Sequence, residues 1–126
     1  MKIKVLHIPC NTQYVRKLQR KDVLEIVNGI PLSSEMSIPF EITFDWIRKH
    51  RDNTRFWKSF NVAHLHFGFE FETLEVVREA LEILQYQKKP LVYTYHEPCS
   101  VHGVSQKSYV KYVKIILSKA SEVITL

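Results

Sequence analysis

Three features of the sequence could carry chemistry. His64 and His66 lie two residues apart, His96 is followed directly by Glu97, and Cys99 and His102 come a few positions later. Residues two apart on a strand project from the same face, so His64 and His66 would point together. A metal would need a third ligand, which His96, Glu97, Cys99 or His102 could supply, although a two-residue histidine spacing by itself is a weak zinc signal. A buried imidazole bonded to backbone or to a side chain is the simpler role for His64. His66 and His96, nearer strand ends, are the better candidates for function. An imidazole beside a carboxylate, as in His96-Glu97, can orient a hydroxyl, accept its proton or hold a phosphate.

Other chemistries lack their motifs. There is no Gly-x-Ser-x-Gly elbow and no Cys-x-x-Cys pair, so nucleophilic hydrolysis and dithiol redox chemistry have no support. Neither a Walker A segment nor a G-x-G-x-x-G fingerprint occurs. Polar residues do gather at strand ends: Asn11 and Thr12 after the first strand, Gly68, Phe69 and Glu70 after His66, and Pro98 after His96-Glu97.

These groups need a scaffold, and the hydrophobic pattern supplies one. Ile3 to Ile8 is a continuous apolar run closed by Pro9, as in a strand buried on both faces. A short helix with Tyr14, Val15 and Leu18 inward follows, and then a strand over Val23–Val27 ended by Asn28-Gly29. Residues 30–43, rich in Pro and Ser, should form a long loop. Asp45 is a candidate cap for a helix from Trp46 to His50, and Thr54 for a shorter one through Phe60, while the alternation of Ile42, Phe44 and Trp46 also suits a strand. Residues 61–67 read as a strand and Thr73–Tyr86 as a helix burying Leu74, Val77, Leu81 and Leu84. Leu91–Tyr95 is another strand. Ser105 caps a helix over Gln106–Lys119 with Tyr109, Val113, Ile116 and Leu117 inward, and Glu122–Leu126 is a last strand.

Strand–helix alternation of this kind predicts an α/β fold: a Rossmann-like open parallel sheet of about five strands, order 2-1-3-4-5, with helices on both faces. In such a sheet ligands bind beyond the carboxyl ends of the strands, where the strand order reverses.

Composition agrees with one globular domain. The 126 residues are 45% hydrophobic and 25% charged, enough apolar material for a core and too much for a disordered chain. Two cysteines, Cys10 and Cys99, are too few for a disulfide framework, so reduced thiols and a cytoplasmic location are expected. The net charge of +5 falls entirely in residues 1–63, which hold 11 Lys and Arg against 6 Asp and Glu. Such a bias suits either a solvated face or an anionic partner. Lys107, Lys111 and Lys114 share one side of their helix, and Arg48, Lys49, Arg51, Arg55 and Lys58 cluster with Trp46, Phe56 and Trp57. These basic–aromatic stretches suggest peripheral contact with an anionic membrane face. No nucleic-acid partner is implied.

Taken in order, Val5-Leu6-His7-Ile8-Pro9, Tyr14-Val15-Arg16-Lys17-Leu18, Val62 through Glu70, Lys89-Pro90-Leu91-Val92-Tyr93-Thr94-Tyr95-His96-Glu97 and Ala120 through Leu126 resemble the N-terminal half of a family 4 glycosyltransferase of the GT-B fold. The resemblance implies retaining transfer from a nucleotide sugar, with no metal and no other cofactor, this half holding a sugar or lipid-linked acceptor. By position it gives His96 and Glu97 the catalytic place beside the transferred sugar. It gives the acceptor cleft to His66 and Gly68; Asn11, Thr12, Phe69 and Glu70, placed at the same crevice by the strand order, are expected to bind the acceptor with them.

Two features depart from the family. The loop after the first strand, Pro9-Cys10-Asn11-Thr12-Gln13, has no glycine, and no Glu-x₇-Glu element of the donor domain occurs in residues 98–126. The isolated chain is therefore expected to be inactive without a donor domain. It would pair with that domain, a partner subunit or itself through the sheet edge near Leu126. The alternatives are a non-catalytic binding module of the same fold and a small metal or phosphate site built on His66, His96 and Glu97.

Overall fold

The structure is a computed structural model, and it describes residues 2–10, 15, 22–96, 98–100 and 103–125. Its centre is a five-stranded, all-parallel sheet in the order β2-β1-β3-β4-β5. The strands are β1 (Ile3–Ile8), β2 (Leu24–Ile26), β3 (Val62–Leu65), β4 (Leu91–Tyr95) and β5 (Glu122–Thr125). Among the described residues, four complete helices lie between the strands: α1 (Phe44–Lys49), α2 (Thr54–Lys58), α3 (Leu74–Tyr86) and α4 (Gln106–Lys119). A 3-10 turn, Phe69–Phe71, stands between β3 and α3. Strand order and fold class are those the pattern of the sequence predicts.

The connections from β2 to β3, β3 to β4 and β4 to β5 all step the same way across the sheet. Right-handed crossovers therefore put α1, α2, α3 and α4 on one face. Side-chain burial agrees. Leu6, Ile8, Ala63, Leu65, Leu91 and Tyr93 point into one core with Phe44, Ile47, Phe56, Val77, Leu81 and Ile116 from the helices. The step from β1 to β2 runs the other way across the sheet. The short helix expected there lies outside the described residues except for Val15, which is helical and buried.

Local chemistry explains the helix boundaries. Thr73 and Ser105 cap α3 and α4, their hydroxyls accepting from Val76 N and Ser108 N. At α1 the cap is Thr43 rather than Asp45, its hydroxyl accepting from Trp46 N at 3.0 Å. Asp45 instead sits in the first turn, paired with Arg48 at 2.6 Å and Lys49 at 3.0 Å. A shift in the same direction, by one residue instead of two, occurs at α2, where Asn53 and not Thr54 is the cap. Ile42, Phe44 and Trp46 do not form a strand. Phe44 and Ile47 bury one side of α1 instead.

Two expected surfaces are rearranged. Leu117 is 44% exposed rather than inward, because Tyr109 and Ile116 take the buried side of α4. Phe56 and Trp57, expected among surface cations, are core residues, with Trp57 Nε1 donating to the His50 and Arg51 carbonyls. Arg48 and Lys49 are ion-paired, so of the basic stretches the Lys107, Lys111 and Lys114 side of α4 is the more openly cationic. No helix among the described residues is long and apolar enough to cross a membrane.

Candidate functional site

The strand order reverses between β1 and β3, and a crevice of about 430 Å³ opens at their carboxyl ends. Ile8 and Pro9 form one wall, and Phe67, Gly68 and Phe71 another. The loop before α1 and the start of α3's lead-in close it with Glu41, Phe44 and Glu72. Gly68 turns the chain out of β3 at φ 81°, a backbone region that side chains with a Cβ rarely adopt. That turn carries Phe71 outward, where it is 70% exposed.

The two carboxylates are held in place. Glu41 Oε2 accepts from Cys10 N at 3.2 Å. Both oxygens of Glu72 accept from the first amides of α1, Phe44 N at 2.8 Å and Asp45 N at 2.9 Å, and the Tyr112 hydroxyl donates to the Glu72 carbonyl at 2.7 Å. An aromatic face beside anchored carboxylates suits a ligand with an apolar ring face and hydroxyl groups.

A larger concavity of about 660 Å³ runs along α3, lined by Arg51, Asp52, Glu75, Glu79 and Glu82. It is away from the strand ends, and its carboxylates are solvated surface groups. The topology favours the smaller crevice.

The residues singled out in the sequence take different places. Gly68 lines the crevice. His96, just past β4, is half-buried and packs edge-on against Phe67 at 5.4 Å between ring centroids, one side chain behind the crevice wall. Glu70 is half-buried. Phe69 belongs to the core instead, 1% exposed and stacked on Tyr109 at 5.5 Å, because the 3-10 turn rolls it under the sheet end. Asn11, Thr12, Glu97 and His102 lie outside the described residues.

His66 does not face the crevice. It is 1% exposed and points to the sheet face opposite the four helices, stacked on His7 at 5.3 Å, with the nearer ring nitrogens, His7 Nδ1 and His66 Nε2, 3.0 Å apart. His64, on the same face of β3, is also buried and bonds Thr94 Oγ1 through Nε2 at 2.7 Å, the role of a satisfied buried imidazole. His7 and His64 are register partners across β1 and β3, which brings the three rings together. Their ligand nitrogens all lie within 4.8 Å of one another. The third member of this cluster is thus His7, where the sequence suggested His96, Glu97, Cys99 or His102. The signal was a polar side chain at the inner end of β1, between the buried apolar residues Leu6 and Ile8.

Burial sets the electrostatics. Desolvation, with smaller repulsion from His64 on His7, from His96 on His64, and from His64, His7 and His96 on His66, pushes His7 and His64 down to about 4 and His66 to about 2, so all three are neutral at pH 7. Asn28 fixes the backbone of His7, accepting from its N–H at 2.9 Å and donating to its carbonyl at 2.9 Å. The Cys10 thiol is pushed up to about 11 by burial and by Glu41, which keeps it protonated and inert as a nucleophile. Cys99 is exposed, and both thiols are free.

Comparison with family models, with curated proteins and with solved structures gives no significant match.

Proposed function

We propose that this chain is the acceptor-side domain of a retaining glycosyltransferase, binding a sugar or lipid-linked acceptor in the crevice between β1 and β3. The observation that carries this reading is the crevice itself. It stands at the reversal of strand order, with Phe71 exposed beside the anchored carboxylates of Glu41 and Glu72. A sugar ring laid on Phe71 would turn its hydroxyls toward those acceptors, and His96 would reach the reacting end past Phe67. Glu97 is the carboxylate neighbour in this reading, and Glu70 lies in the turn after the adjacent strand, β3. The resemblance of the strand-end segments to family 4 glycosyltransferases supplies the reaction class.

In this reading the nucleotide sugar is held by a separate donor domain. The β5 edge, where Val123 and Ile124 are 42% and 41% exposed, is the surface for that domain, a partner subunit or a second copy. The lysine side of α4 would favour an anionic membrane carrying a lipid-linked acceptor.

The test is a titration of the isotope-labelled chain with oligosaccharides and with the glycan headgroups of lipid-linked sugars, followed by NMR. Gly68, Phe71 and His96 are expected to shift, and a nucleotide sugar alone is expected to shift nothing. Shifts confined to other surfaces, or turnover of a nucleotide sugar by this chain alone, would overturn the reading. Binding without transfer when a donor domain is supplied would mark a non-catalytic binding module.

A further inference from the structure

We propose that His7, His64 and His66 together bind one divalent transition-metal ion of the zinc type, on the sheet face opposite the four helices.

The geometry comes from the sheet. His7 and His64 sit opposite one another in the β1–β3 register, and His66 follows His64 by two residues, so all three side chains leave the same face. Their ring centroids are 5.4 Å (His7–His64), 5.3 Å (His7–His66) and 4.0 Å (His64–His66) apart. In a tetrahedral site with bonds of about 2.0–2.1 Å, ligand nitrogens stand about 3.4 Å from each other. The 3.0 Å separation of His7 Nδ1 and His66 Nε2 is near that spacing. All the ligand nitrogens lie within 4.8 Å of one another, so one ion would be held by the rings rotating toward it while β1 and β3 keep their register.

The chemistry is selective. Three imidazoles with no carboxylate among them favour Zn²⁺, Co²⁺, Ni²⁺ or Cu²⁺ and disfavour Mg²⁺ and Ca²⁺. Only the neutral imidazole ligates, and all three rings are buried, which disfavours the charged form. Their supports are in place, with Thr94 Oγ1 orienting the His64 ring and Asn28 fixing the His7 backbone. There is also a route in: His7 and His64 line a groove of about 320 Å³ on this face with Val5, Ile26, Val92 and Ile124. The site shares no ligand with the crevice, so it stands whether or not an acceptor binds there.

The experiment strips the chain with a chelator and titrates it with Zn²⁺ by calorimetry. Mg²⁺ is the control, and Co²⁺ is the spectroscopic probe. One equivalent of Zn²⁺ is expected to bind, Co²⁺ to give the intense visible bands of a tetrahedral site, and Mg²⁺ to give no heat. In the long-range ¹H–¹⁵N spectrum of the unmodified chain, the imidazole nitrogens of His7, His64 and His66 should shift together. His66→Gln and His7→Gln should each weaken Zn²⁺ binding by about a hundredfold or more. The proposal is overturned if no Zn²⁺ binds at about 100 µM, if both variants bind as tightly as the parent, or if the imidazole shifts fall on His50 and His96 and not on the three. Should either variant fail to fold, the spectrum of the unmodified chain decides the matter.

Discussion

His7 Nδ1 and His66 Nε2, in two buried rings, lie 3.0 Å apart, a side-chain link between β1 and the residue that follows β3. A hydrogen bond between two imidazoles needs one ring nitrogen with a proton and one without. Protonating both rings removes the acceptor and places two charges against each other in a desolvated site.

The pair therefore makes stability depend on pH, with a definite sign. The ordinary histidine value is 6.5, whereas His7 and His64 are held at about 4 and His66 at about 2. Between 6.5 and those values the unfolded chain takes up protons that the folded chain refuses. Stability is therefore full above 6.5 and falls as the pH drops toward 4, by up to about 1.4 kcal/mol per pH unit for each such histidine. Urea unfolding at pH 7.5 and at pH 5 measures this. A chain equally stable at both would show that the rings are not neutral and buried.

Thr94 is fully buried and bonds His64 Nε2 at 2.7 Å. Thr94→Val keeps the shape and deletes the hydroxyl, leaving a buried ring nitrogen unsatisfied. A loss of about 1–3 kcal/mol is expected. Equilibrium unfolding at pH 7.5 tests it, and an unchanged midpoint would mean that His64 finds another partner.

Asn28 does more than end β2. Its side chain bonds both backbone groups of His7 and donates to the Phe40 carbonyl at 3.1 Å, tying β1 to the loop that approaches the crevice. Asn28→Ala strands buried backbone groups and should cost about 2–3 kcal/mol. It should also speed amide exchange at His7, which hydrogen exchange by NMR would detect.

Much of this architecture was legible because its causes are local. The 3.6-residue apolar period marks α3, and Thr73 and Ser105 are hydroxyl caps directly ahead of apolar runs. Where two cap-competent residues stand close together, as Thr43 and Asp45 do, the sequence alone does not choose. Burial of Phe44 starts α1 two residues earlier, and Asp45 becomes an ion-pair partner. The histidine cluster was legible by half. The spacing of His64 and His66 reveals their shared face, but His7 joins them across 57 residues of chain, through a register that only the assembled sheet defines. The same reason hid the fate of Phe69 and His66, whose strand-end positions suited a binding wall while packing drew both side chains inward.

Glu72 links α1 to the crevice. Its carboxylate accepts from Phe44 N and Asp45 N, where the positive end of the helix favours an anion. Glu72→Ala removes both bonds and should cost about 1–2 kcal/mol. It should also weaken saccharide binding more than Glu75→Ala, whose side chain lies on the exposed surface of α3. Equal binding by the two variants would separate the cap from the site.

Phe71 and His96 give the sharpest test of the crevice, because their burial differs. Phe71 is 70% exposed, so Phe71→Ala should leave the unfolding midpoint within about 0.5 kcal/mol of the parent. If a sugar ring stacks there, the same change should abolish the NMR shifts on saccharide addition. His96 is half-buried against Phe67 and His66, so His96→Ala should cost some stability while acting mainly on transfer once a donor domain is supplied. Acceptor affinity should fall little in that variant and turnover by about a hundredfold or more. A Phe71→Ala chain that binds saccharide as the parent does would remove the crevice from consideration. A His96→Ala enzyme with full turnover would confine His96 to packing against Phe67.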